Sequence, residues 1–105
     1  MALKVYSAPK ELGKPPELNF RNWDEYKKRT EQYIQSIQEW AKRTGNGDIA
    51  GSLVAFPFAD GYAQYIVYTT KPLSLIHVPT GDAWHFPYIE RLTLKDIKKA
   101  IWHGV

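Results

Sequence analysis

The stretch that decides the fold is Ser52–Thr70, SLVAFPFADGYAQYIVYTT. Two runs rich in aromatic and β-branched residues flank Asp60-Gly61. That pair signals a tight hairpin, because a type I′ turn needs positive φ at both central residues. With Asp60-Gly61 as a two-residue loop, Phe58 faces Ala63, Phe56 faces Tyr65 and Val54 faces Val67. Cross-strand partners share a side, so these six residues form one apolar face of the ribbon. Leu53, Ala55, Gln64, Ile66 and Tyr68 form the other. In this register Pro57 takes a hydrogen-bonded position, where its missing N–H costs a ladder bond. Either the strand lies at an edge or the loop is longer and bulged.

Downstream, Lys71-Pro72 turns the chain into LSLIHV, and Pro79-Thr80-Gly81-Asp82 turns it again into AWHF, which Pro87 stops. This reads as a second hairpin. If Thr80-Gly81 forms its loop, His77 pairs with Trp84 and Ile76 with His85. The last segment, TLKDIKKAIW, opens on Thr93 with Asp96 three residues on and sets Leu94, Ile97 and Ile101 against Lys95, Lys98 and Lys99. That pattern is a capped amphipathic helix.

Upstream, NWDEYKKRTEQYIQSIQEWAKRTG is the clearest helix. Asn22 suits the N-cap, with Glu25 three residues later. Tyr26, Thr30, Tyr33, Ile37 and Trp40 recur at helical spacing, with Trp23, Ile34 and Ala41 widening the stripe. Asp24 and Glu25 lie in the first turn and Lys42 and Arg43 in the last, as the helix dipole favours, and Gly45 or Gly47 ends the helix. Before it, LKVYS alternates as a short edge strand, and APKELGKPPEL reads as an extended connector stiffened by Pro15-Pro16.

The expected fold is therefore α+β. An antiparallel sheet of three or four strands, made of two consecutive hairpins, carries the long N-terminal helix on one face. The short C-terminal helix packs beside it, and Phe56, Tyr65 and Trp40 meet in one core. At 105 residues the chain is expected to be a single domain, with residues 1–21 as an extended arm and 22–105 as the compact body. Cysteine is absent, which removes disulfides, thiolate metal ligation and cysteine nucleophiles. No stretch has the length of a signal-peptide core or a membrane span, so the expected location is cytoplasmic, with no membrane partner.

Charge is uneven. The net is +3, yet residues 44–90 hold a single basic side chain, Lys71, against Asp48, Asp60, Asp82 and Glu90. The strands are thus poorly suited to phosphate. Helix–strands–helix is also the order of double-stranded RNA-binding domains. Here, however, Asp60-Gly61 occupies the place of their His-bearing loop, and order alone assigns no family.

Every residue of the first hairpin is explained by strand and turn chemistry. What remains is surplus aromatic surface, and this points to a small binding or adaptor module contacting another protein or a second copy of itself. Tyr62, Tyr68, Trp84 and His85 are the candidate contacts. The alternative is nucleic-acid binding through two basic patches, Lys27 and Lys28 on the first helix and Arg91, Lys95, Lys98 and Lys99 at the last, which would have to share one side. A third reading is a small enzyme using His77 or His85. No glycine-rich phosphate loop, H-E-x-x-H or G-x-S-x-G occurs, and no cofactor or metal is implied.

Overall fold

The computed structural model describes residues 3–17, 19–58, 61–78 and 89–101, without the side chain of Phe58. Four strands, β1 (Lys4–Tyr6), β2 (Leu53–Phe58), β3 (Gly61–Thr70) and β4 (Leu73–His77), form one sheet in the order β1-β4-β3-β2. Two α-helices, α1 (Trp23–Thr44) and α2 (Leu94–Lys99), accompany it with three short 3-10 turns. The class is α+β, with one long and one short helix.

The sheet is mixed, which corrects the expectation of a purely antiparallel one. β2–β3 and β3–β4 are antiparallel, but β1 runs parallel to β4, pairing Lys4 with Ser74 and Tyr6 with Ile76. Ile76 therefore has Ile66 on one side and Tyr6 on the other. AWHF itself lies outside the described residues.

The first hairpin keeps its faces and changes its register. Val54 pairs with Tyr65, Phe56 with Ala63 and Phe58 with Gly61, each shifted by two from the expected partner. Side chains alternate with period two, so a shift of two leaves every residue on its own face. The shift also resolves Pro57. The Ala55 N–H points away from β3 and donates to the Ala100 carbonyl at 3.1 Å. Pro57, two residues on, shares that outward direction on an edge strand, where no ladder bond is lost.

Both faces of the sheet are covered. Val54, Phe56, Ala63, Tyr65, Val67 and Leu75 cluster with Ile97 of α2 and Ile89 of the preceding 3-10 turn. Ile66, Ile76 and Val78 cluster on the other side with Tyr33, Ile37 and Ala41 of α1. The two helices thus flank the sheet, where side-by-side packing on one face was expected. Trp40 joins the α1 side, while Phe56 and Tyr65 meet on the α2 side with ring centroids 6.1 Å apart. The expected three-ring core is in fact two cores. Much of the N-terminal arm is packed too: Leu3 is buried, Ala8 and Leu12 lie against the α1 cluster, and the Tyr33 hydroxyl donates to the Gly13 carbonyl at 3.1 Å.

Helix boundaries follow their caps. The Asn22 side chain accepts from the Glu25 N–H, Gly45 closes α1 with its N–H on the Ala41 carbonyl, and Thr93 with Asp96 forms a full capping box. Among the described residues no helix is long and apolar enough to cross a membrane.

Candidate functional site: an aromatic strip at the start of α1

α1 runs for 22 residues, about 33 Å. Its buried residues begin only at Tyr33, ten residues in, which is about 15 Å along the axis. Ahead of Tyr33 the stripe is only partly covered, with Tyr26 and Thr30 half-buried. Phe20 is 79% exposed and Trp23 is 47% exposed.

Local chemistry holds these rings in place. The Asn19 side chain accepts from the Arg21 N–H at 3.0 Å and sets the 3-10 turn Phe20–Asn22 that feeds α1. Residues three apart share a helical face. The Phe20 and Trp23 rings lie 6.2 Å apart with planes within 3°, and Trp23 and Tyr26 lie 5.4 Å apart at 37°. Beside this strip is a hollow of about 390 Å³. Its walls include Glu17, Asn22, Glu25 and Arg29, with Glu25 and Arg29 joined in an exposed ion pair. Such a pair contributes little stability. The arrangement is three rings beside mixed polar and charged groups.

The expected site residues are dispersed. Tyr62 is 57% exposed near the start of β3. Tyr68 lies six residues further along the same face, about 20 Å away. Tyr68 is half-buried, stacked on Trp40 at 5.1 Å and edge-on to Tyr6 at 6.3 Å. Trp40 in turn donates its indole N–H to Glu11 at 3.1 Å. Trp84 and His85 lie outside the described residues.

The basic candidates divide between the faces. Lys27 and Lys28 are exposed on α1, whereas Lys95, Lys98 and Lys99 are exposed on α2, with Arg91 just before it. His77 sits opposite Tyr65 in the β3–β4 ladder, with rings 5.2 Å apart. Among the described residues no three His, Cys, Asp or Glu side chains are grouped to hold a metal.

Phe20 was not singled out in the sequence, and Trp23 and Tyr26 were read as core stripe. No local signal separates them: Trp23 and Tyr26 stand at the same helical spacing as the buried Tyr33 and Ile37. Compared with known proteins, the chain matches no family, no curated protein and no solved structure. Its class is set by architecture alone: a mixed four-stranded sheet between two helices of unequal length.

Proposed function

We propose that this chain is a small binding module that docks another protein on the strip Phe20–Trp23–Tyr26. The observation that carries the reading is the exposed parallel stack of Phe20 on Trp23, two large rings held together outside either core. Water-exposed aromatic surface of this kind, flanked by arginine, is the composition of interaction hot spots. Tyr62 and Tyr68 are secondary contacts at most in this reading, because Tyr68 is committed to Trp40 and Tyr6.

The charge around the strip favours a protein over a nucleic acid. Glu17 and Glu25 line the hollow beside the rings, and the Arg29 there is already paired with Glu25, so this wall offers phosphate no net positive charge. Moreover, the six cations needed for the alternative lie on helices that cover opposite faces of the sheet.

The test compares wild type with a Phe20→Ala/Trp23→Ala double variant and with Tyr62→Ala. Partners are identified by affinity capture and then re-measured with purified protein. The double variant is expected to lose its partner and keep its thermal midpoint, while Tyr62→Ala keeps both. A double variant that retains full partner affinity overturns the reading. Salt-sensitive binding of mixed oligonucleotides at about 50 mM salt, kept in the double variant, would replace it with the nucleic-acid alternative.

A further inference from the structure

At one end of the sheet, the β3–β4 turn, the start of β1 and the segment leading into α2 enclose a groove of about 720 Å³. That lies within the usual size of small-ligand sites, roughly 300–1,000 Å³. Buried Leu3 and half-buried Leu73, Leu92 and Leu94 supply an apolar floor. Lys71 stands on the rim, in the two-residue turn between Thr70 and Leu73. Its ammonium has no hydrogen bond or ion pair among the described residues. The only basic residue of the acidic middle segment is thus placed at the mouth of an apolar groove. Arg91 adds a second positive charge to this rim, and Glu90 a negative one.

The backbone around the groove narrows the class of occupant. The Thr70 N–H donates to the Asn46 carbonyl at 3.1 Å, and Thr70 pairs with Leu73 across the turn. The Leu92 N–H donates to the Ile89 carbonyl at 3.2 Å, and the Thr93 N–H to the Asp96 carboxylate at 2.9 Å. These three N–H groups are therefore already engaged, and an occupant that buries unmet amide groups against the leucines meets a cost. A ligand with one polar end avoids that cost.

We propose that this groove binds the hydrocarbon chain of a medium- or long-chain carboxylic acid, with the carboxylate on Lys71. The tail removes leucine surface from water, and the charged head stays at the wet rim. This site is separate from the aromatic strip and does not depend on it.

The test titrates decanoate, kept below its micelle concentration, into the protein and follows backbone amide shifts. Saturable shifts centred on Leu3, Leu73, Leu92 and Leu94 are expected. Lys71→Gln should weaken binding about two- to fivefold, the range of an exposed ion pair, and Glu90→Gln should tighten it. Decanol, with the same tail and no charge, should bind more weakly than decanoate. Absence of saturation by about 1 mM overturns the proposal, since that affinity is near the floor of useful binding. So does decanol binding as tightly as decanoate, or a Lys71→Gln variant with unchanged affinity. Shifts centred on Phe20–Tyr26 overturn it as well, because they would report adhesion to exposed rings.

Discussion

The backbone of Gly45 presses against the carbonyl of Tyr68, where the end of α1 meets β3. A Cβ at Gly45 would lie well inside contact distance of the Tyr68 oxygen and 2.6 Å from that of Ala41. The φ of Gly45 is −88°, so any residue could adopt its conformation. Space is what requires glycine here. Gly45→Ala is therefore expected to cost about 3 kcal/mol or more, the upper end of overpacking, read as a lowered denaturant midpoint. Gly13 is the opposite case: a Cβ there meets nothing within 4 Å, but φ is +79° and ψ is −166°. Gly13→Ala should cost about 1–3 kcal/mol through backbone strain alone. If Gly45→Ala is the milder of the two, helix and strand are not in the contact described.

Tyr68 joins that junction from its side chain as well, stacked on Trp40. An aromatic pair contributes about 0.5–1.5 kcal/mol beyond its area. A double-mutant cycle of Trp40→Ala and Tyr68→Ala should return a coupling of that size. In contrast, Phe20→Ala should change stability by no more than about 0.5 kcal/mol, because its ring is exposed. Zero coupling between Trp40 and Tyr68 would place Tyr68 back among free contact residues.

These cases show why the sequence was only partly legible. The two faces of the β2–β3 ribbon follow from strict alternation, which survives a register shift of two. The register itself does not: Asp-Gly as the loop implies one set of partners, whereas the observed pairs, displaced by two, leave Pro57 on an edge strand with its nitrogen directed outward. β1 carries three residues, and its parallel pairing with β4 is made across some seventy residues of chain. Local pattern holds no trace of such a partner. Nor does an amphipathic stripe say which face of a sheet it covers, so α2 was placed beside α1 when it lies opposite. The aromatic strip is hidden for a related reason: the stripe on α1 is continuous in sequence, and only tertiary packing decides where burial stops.

Burial raises the pKa of Tyr33, whose hydroxyl donates to Gly13 and ties the N-terminal arm to α1. A group whose folded pKa exceeds its unfolded value holds its contribution below the unfolded pKa, about 10 for tyrosine. That contribution is lost as pH rises through the folded value. Tyr33→Phe is expected to cost about 1 kcal/mol at neutral pH through the lost hydrogen bond. Its stability should then fall less steeply than that of wild type above about pH 10. Equal slopes in urea titrations across that window would mean the hydroxyl is not held in the arm contact.

Asp96 titrates in the opposite sense. The Thr93 N–H, first, and the Thr93 hydroxyl, second, donate to its carboxylate and lower its pKa, helped by Lys99 and Lys95. A depressed folded pKa gives stability that is present above the unfolded value of about 4 and lost as pH falls through the folded one. Asp96→Asn should therefore be less stable than wild type at neutral pH, and the gap should close as the pH drops below about 4. Thr93→Ala removes the N-cap oxygen and one donor together, with an expected cost of about 1 kcal/mol. Because Ile97 of α2 is fully buried against the Phe56–Tyr65 cluster, fraying of this short helix should appear first as faster amide exchange at Ile97 and Ala100. Unchanged exchange there in Thr93→Ala would show that packing alone, without the capping box, holds α2 in place.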